Sequence, residues 1–230
     1  CKRYSTEKFS RQHFIMNLKG ILFDMDGVLV DSEEFICEAA ICMFREKGIE
    51  VMAEDFVPFI GMGENRYLGG VAEKYHVPFD QERDKRRTYE IYEELTKGKL
   101  KALPGVHRFI EMCRKKGLKI AIATSADRVK LETNLRALQF PEGTIDATVN
   151  GLEVEHKKPD PEIYLVAAQK LGLHPEECLV VEDAVSGVKA GKAAGCKVLA
   201  VRTSFPAEQL KEADWICTTL AEVPPEALKW

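Results

Sequence analysis

A chain of 230 residues with 45% hydrophobic and 30% charged residues is long enough for one sizeable domain, or a core with a smaller insert, around a substantial buried interior. A formal net charge of −4 offers no basic face for nucleic acid, and no apolar run approaches the ~18 residues of a membrane span. The seven cysteines, at 1, 37, 42, 113, 178, 196 and 217, are odd in number and form no CxxC pair, which argues against a disulfide framework or a zinc site and suits reduced thiols.

Residues 1–16 differ from the rest. Lys2, Arg3, Lys8 and Arg11 stand against Glu7 with no periodic apolar face, and Met16 opens the run MNLKGILFD. This segment reads as a flexible N-terminal extension, either a solvated tail or a leader of transit-peptide type.

Four apolar residues, 20–23, end abruptly at Asp24-Met25-Asp26-Gly27, the pattern of a buried strand followed by a tight loop. An amphipathic helix is expected over 33–47, with Phe35/Ile36, Ala39/Ala40 and Met43/Phe44 on one stripe and Gly48 as its stop. Residues 55–76 read as helical in part, interrupted by Gly61-Met62-Gly63 and Gly69-Gly70, and 80–97 as a densely charged helix ending at Gly98. From Pro104 onward helices and strands alternate. Helices are expected at 106–116, 126–138, 161–171 and 184–194, and strands at 118–124, 145–149, 178–181 and 197–201. Residues 207–211 and 214–217 repeat the pattern weakly as a helix and a strand.

Strands separated by helices of this length pair in parallel through right-handed crossovers. One strand precedes residue 32 and the others follow residue 104. The domain organisation is therefore an α/β core of 17–32 and 104–230, with an all-helical insert at 33–103. The insert leaves the carboxyl end of the first strand, where open parallel sheets bind their ligands, and is placed to act as a lid.

Four chemical signals share one position, at or just after the end of an expected strand. In the first, Asp24 and Asp26 are carboxylates at i and i+2, costly unless a cation or hydrogen bonds compensate them. Thr124-Ser125 supplies hydroxyls that can donate to a phosphate oxygen or cap the next helix. Lys158, in Lys157-Lys158-Pro159-Asp160-Pro161, is a lysine set by prolines before a helix, able to neutralise a phosphate or simply solvated. Glu182-Asp183 is a pair of acids suited to a hard cation, or to a helix cap.

In that order, Asp24-x-Asp26-Gly27, Thr124, Lys158 and Glu182-Asp183 resemble the four motifs of the haloacid dehalogenase-like superfamily. The insert resembles the helical cap of its β-phosphoglucomutase and phosphoglycolate phosphatase-like branch. The likeness covers residues 19 to 220. It implies an α/β fold, a Rossmann-like three-layer core with a parallel sheet and an inserted α-helical cap. It also implies catalysis by Asp24, which forms an aspartyl-phosphate, and by Asp26, which protonates the leaving oxygen and then deprotonates water. Thr124, Ser125 and Lys158 are implied to bind the phosphate. Mg²⁺ is implied as cofactor, held by Asp24, the backbone carbonyl of Asp26 and Asp183, with Glu182 in support.

The acid at position 26 favours phosphoryl transfer over the dehalogenase and phosphonate-cleaving chemistries, whose enzymes resemble this chain but lack it. The expected activity is a phosphatase acting on a small phosphorylated metabolite. The rival is a sugar-phosphate mutase: Glu64 aligns where the mutase has an arginine and Ile36 stands in place of its histidine, but Arg66, two residues on, can take the arginine's part, so both readings stay open. A non-catalytic module is disfavoured by the intact motifs. Glu64, Asn65 and Arg66 are expected to face the leaving group in the cap. The remaining expectations are a monomer with no nucleic-acid or membrane partner, located in the cytoplasm or alternatively in a plastid.

Overall fold

The structure is a computed structural model that describes residues 18–60 and 62–230. The extension expected at 1–16 and the first glycine of the 61–63 loop lie outside the described residues.

Six parallel strands form one sheet: β1 (Gly20–Phe23), β2 (Lys119–Ala123), β3 (Ala147–Val149), β4 (Cys178–Glu182), β5 (Lys197–Val201) and β6 (Trp215–Cys217). Their order is β3-β2-β1-β4-β5-β6. The direction of winding reverses at β1, so the crevice beyond its carboxyl end, between β2 and β4, is the topological switch point of the sheet.

Alternation along the strands sorts their side chains onto two faces. Ile21, Phe23, Ile120, Ile122, Leu179 and Val181 pack on one side with α4 (Val106–Lys115) and α5 (Arg128–Leu138). Leu22, Ala121, Ala123, Val180 and Val198 pack on the other with α6 (Glu162–Leu171) and α7 (Val185–Ala193). Helices therefore cover both faces, and the sheet reads as continuous apolar runs because neither face meets water.

Between β1 and α4 lie α1 (Glu33–Glu46), α2 (Glu64–Lys74) and α3 (Gln81–Thr96), with 3₁₀ turns at Ala53–Asp55 and Val57–Phe59. They bury a cluster of their own, including Phe44, Phe56, Leu68, Tyr89 and Tyr92. Each fully buried side chain of that size contributes on the order of 2–3 kcal/mol, so the helical segment holds itself together largely from within. Its two connections run side by side: Val30 bridges Ala102 in antiparallel fashion, and Leu103 N–H donates to Leu29 O at 2.9 Å.

Some boundaries differ from those expected. The segment 55–76 condenses to two 3₁₀ turns and α2, because Gly63 adopts φ +81° immediately before Glu64. Gly70 lets the Phe59 ring rest on α2, since a Cβ there would stand 2.4 Å from it. β3 begins at Ala147, as the Asp146 carboxylate is drawn off by Ile120 N–H and Arg114. Residues 207–211 form turns, not a helix.

Candidate active site

The register of the sheet assembles the site. Phe23 pairs with Ile122 on one side and Val181 on the other, so Asp24 falls opposite Ala123 and Glu182, with Thr124 and Asp183 one residue further along. Asp24 N–H donates to Val181 O at 2.9 Å and Thr124 N–H to Val149 O at 3.0 Å, which extends the ladder to the reactive residues themselves. Groups far apart in sequence thereby meet on the rigid edge of a sheet.

Lys158 enters from the loop before α6. Its Nζ donates to Asp24 Oδ1 and Glu182 Oε1, each at 2.6 Å. Glu182 is saturated: Oε1 also accepts from the Tyr164 hydroxyl at 2.7 Å, and Oε2 from the N–H groups of Asp183 and Ala184 at 2.9 and 3.0 Å. A Cβ on residue 187 would stand 1.7 Å from Glu182 Oε1, so the opening of α7 requires glycine there. The Ser204 hydroxyl donates to Asp183 Oδ2.

Asp24, Glu182 and Asp183 present carboxylate oxygens within 4.8 Å of one another, all buried. Burial pushes the Asp24 carboxyl up to about 7; Lys158 opposes the shift while Glu182 and Asp26 add to it. Burial, reinforced by Glu182 and Asp24, holds Asp183 well above the ordinary carboxylate range. Lys158 moves the other way: burial disfavours its charge, but Asp24 and Glu182 outweigh that and keep it firmly protonated. Three buried acids thus share one ammonium, a donor set with room for further positive charge.

Asp26 lies on the helical side of this cluster. The Ser32 hydroxyl donates to its Oδ1, joined by Asn134 Nδ2 at 3.4 Å, and Lys130 Nζ donates to its Oδ2 at 3.0 Å. Asn134 Oδ1 in turn accepts from the Tyr92 hydroxyl of α3 at 2.6 Å. Ser32 stands at the N-cap position of α1 yet caps nothing, because its hydroxyl is committed to Asp26.

Thr124 Oγ1 accepts the N–H of Ala126 at 3.1 Å, and α5 starts only after Asp127, so Thr124 makes a local turn in place of a helix cap. Ser125 lines a cavity of about 530 Å³ between the strand ends and the helical segment, together with Asp26, Asp183, Lys130 and Glu64. Of the three residues expected to face the leaving group, only Glu64 reaches this cavity. Asn65 is exposed, and Arg66 points away, with Nη1 on Glu73 at 2.8 Å and its guanidinium 5.0 Å from the Phe59 ring centre.

Lys130 and Asn134 were not among the residues singled out from sequence. Four positions apart on α5, they sit one step off the Leu131/Leu135/Leu138 stripe, where polar residues are ordinarily solvated. Only the fold shows that Lys130 is 4% exposed, with Asp26 on one side and Glu64 Oε1 at 3.9 Å on the other.

Known proteins share this sequence pattern and this fold. A profile described as haloacid dehalogenase-like hydrolase matches residues 21–201. The chain is 43% identical over 199 residues to the protein SUPPRESSOR OF QUENCHING 1, chloroplastic, of Arabidopsis thaliana; the match takes in 85% of this chain but only 19% of that much longer protein. It is 34% identical to a phosphorylated carbohydrates phosphatase of Thermotoga maritima, over 77% of this chain and 82% of the relative. Among solved structures, CbbY from Rhodobacter sphaeroides in complex with phosphate superimposes with a TM-score of 0.83 at 25% identity, covering 93% of this chain and all of the other.

Proposed function

Because the chain belongs to the haloacid dehalogenase-like hydrolase family, we propose that it is a magnesium-dependent phosphatase that hydrolyses a small phosphomonoester through an aspartyl-phosphate on Asp24. The observation that carries this reading is the place of Asp24 at the switch point of the sheet, with Lys158 2.6 Å away and Glu182 and Asp183 beside it.

The residues fit a magnesium ion. Three buried carboxylates around one ammonium leave Asp183 well above its ordinary range, and a hard cation with oxygen ligands would relieve that strain on charge. Asp24, the carbonyl of Asp26 and Asp183 would hold the ion. Glu182, whose oxygens are already filled by hydrogen bonds, would support it through the N–H of Asp183 and through Lys158. When bound, the metal neutralises charge on the phosphate and so permits approach of an anionic nucleophile.

The protein groups then divide the work. An Asp24 carboxylate oxygen attacks phosphorus, and the bond from phosphorus to the ester oxygen breaks. Asp26 gives its proton to that departing oxygen and later takes one from the water that hydrolyses the acyl phosphate. Lys158, Thr124 and Ser125 hold the transferring phosphoryl oxygens. Ser32, Asn134 and Lys130 act as positioning residues that keep the Asp26 carboxyl at the cavity floor. The helices over 33–96 serve as a cap over the reaction, joined to the core by the paired connections at Val30 and Ala102.

A mutase needs a cation on the cap for the distal phosphate. Arg66 is engaged by Glu73 on its own helix, which favours the hydrolase. We read the protein as acting alone, as a monomer, on a small phosphorylated metabolite. The chloroplastic relative gives the plastid location more weight than the cytoplasm, and no helix among the described residues is long and apolar enough to cross a membrane. Release of inorganic phosphate from p-nitrophenyl phosphate, with and without magnesium, tests the proposal. Metal-dependent release supports it, and no release in magnesium leaves the chain a non-catalytic module.

A further inference from the structure

The helical segment meets the core along a seam where α3 lies against α5. Lys85 Nζ pairs with Asp127 Oδ2 at 2.6 Å, and two turns further along α3 Glu93 Oε1 pairs with Arg136 Nη2 at 2.6 Å. Between these ion pairs sits Tyr92, fully buried, whose hydroxyl donates to Asn134 Oδ1 at 2.6 Å. Burial pushes the Tyr92 hydroxyl above its ordinary range, so it stays protonated and remains a donor. Asn134 is buried as well, and its Nδ2 faces the Met25 sulfur at 3.2 Å and Asp26 Oδ1 at 3.4 Å.

A carboxamide has an acceptor end and a donor end, and a half-turn that exchanges them changes its shape very little. What fixes the Asn134 amide is therefore its partner. Because the Tyr92 hydroxyl donates, Oδ1 is held toward α3 and the NH2 group is held toward Asp26. Reversed, the amide would set its oxygen against the carboxylate. Asp26 takes the Asn134 N–H and the Ser32 hydroxyl on Oδ1 and Lys130 on Oδ2, so the rotation of its carboxyl follows the amide. Tyr92 itself does not line the cavity, yet it stands one residue removed from the proposed acid.

We infer that Tyr92 is a positioning residue of the reaction: through Asn134 it sets the Asp26 carboxyl to protonate the departing oxygen. This rests on the phosphatase reading, and it gives one residue of the helical segment a defined part in one step, the proton transfer. Breakage of the bond from phosphorus to the ester oxygen needs that proton when the leaving group is an alkoxide, and hardly at all when it is a stabilised phenolate. The consequence is specific. Loss of the Tyr92 hydroxyl slows esters in proportion to how much their leaving oxygen depends on a proton.

The test pairs benzyl phosphate, whose alkoxide leaves only with a proton, with p-nitrophenyl phosphate, whose phenolate leaves without one. Both are compared by kcat/KM in magnesium buffer, which reports the steps up to release of the leaving group and not the later hydrolysis of the acyl phosphate. Tyr92→Phe, which keeps the ring, should lower the benzyl-to-nitrophenyl ratio about 10-fold, and because the ratio is taken within each variant, a general loss of activity cancels. Asn134→Leu should lower it at least as far, and the double variant no further than Asn134→Leu alone, because the two residues act in series. Lys85→Met loosens the same seam without touching Asn134 and should move both esters by one factor, leaving the ratio as it is. An unchanged ratio in Tyr92→Phe would make the tyrosine structural only and overturn the inference. So would single effects that multiply in the double variant. Should the wild type hydrolyse neither ester, the phosphatase reading fails by itself. In that case, or with benzyl phosphate alone inert, a urea-unfolding cycle of Tyr92→Phe and Asp26→Ala reads the link. Additive shifts in the urea midpoint for these two residues, which share no hydrogen bond, overturn it.

Discussion

Lys130 Nζ lies 3.0 Å from Asp26 Oδ2, although 104 residues separate them in sequence. The lysine is buried, and burial works against its charge; Asp26 first and Glu64 next outweigh that penalty and hold the ammonium above its ordinary range. Because Asp26 belongs to the loop after β1 and Glu64 opens α2, one side chain on α5 links the loop that carries the proposed acid to the helical segment above it.

Replacement of Lys130 by Met should therefore lower kcat about 10- to 100-fold and leave KM within a few-fold, since the change misplaces Asp26 and spares the phosphate contacts. It also leaves Glu64 and Asp26 without their cation, so stability should fall by about 2–3 kcal/mol, less than for a fully enclosed pair because Asp26 is partly exposed. Steady-state kinetics and a urea titration check the two halves separately. A variant that loses stability but keeps its kcat would make Lys130 structural only.

Asp24→Asn should abolish turnover while the fold persists, for the amide nearly matches the carboxylate in shape but cannot attack phosphorus. Burial and two neighbouring acids hold Asp24 at about 7, which means that its charge is unwelcome without metal. Its removal should raise the melting temperature in chelator by a few degrees. Phosphate release above a trace by this variant would exclude Asp24 as the nucleophile.

Much of this was legible in the sequence, and for a physical reason. A strand buried on both faces must be an uninterrupted apolar run, so the acids that end such runs at Asp24 and Glu182 mark both the strand boundary and the sheet edge. Two such edges, with Thr124 at the end of a third strand and Lys158 in the loop before α6, are hard to produce in that order by chance. The contacts of Lys130 and Asn134 were not legible, because their position off the apolar stripe of α5 is where most helices carry solvated residues. Only the packing of α3 and the Asp26 loop over that face encloses them. The direction of Arg66 was equally hidden. Glu73 lies two turns along α2 on the same face, and the guanidinium pairs with it at the exposed surface. The strand expected at 145–149 lost its first two residues because Asp146 serves as a side-chain acceptor.

Asp183→Ala should raise the magnesium concentration for half-maximal rate and depress the maximal rate, and excess chelator should silence the wild type. A readout independent of turnover is available. An ion that binds only the folded state stabilises it by about 2.7 kcal/mol at a hundred times its Kd. Magnesium should thus raise the melting temperature of the wild type and leave that of Asp183→Ala nearly unmoved. Equal shifts in the two proteins would mean that Glu182-Asp183 acts only at the opening of α7.

The last prediction concerns the helical segment and acid. Asp55 is buried at the turn before α2, where its carboxylate accepts from Lys74 Nζ, from the Tyr75 hydroxyl and from Met52 N–H. The Lys74 and Tyr75 bonds are the main causes that depress its carboxyl from 3.8 to about 2. With the folded value below the unfolded one, the ionised form stabilises the fold above pH 4. That contribution fades as the pH falls from 4 to 2 and is gone once both states are protonated. Because Lys74 is itself largely exposed, solvent screens the ion pair and keeps the effect near 1 kcal/mol. Asp55→Asn should therefore lower the melting temperature at pH 6 by a few degrees, and the gap between variant and wild type should close between pH 4 and pH 2. Other carboxylates titrate in the same range, but they do so in both proteins and cancel in the difference. A gap that stays constant across that interval would show that packing, and not the charge of Asp55, secures the turn.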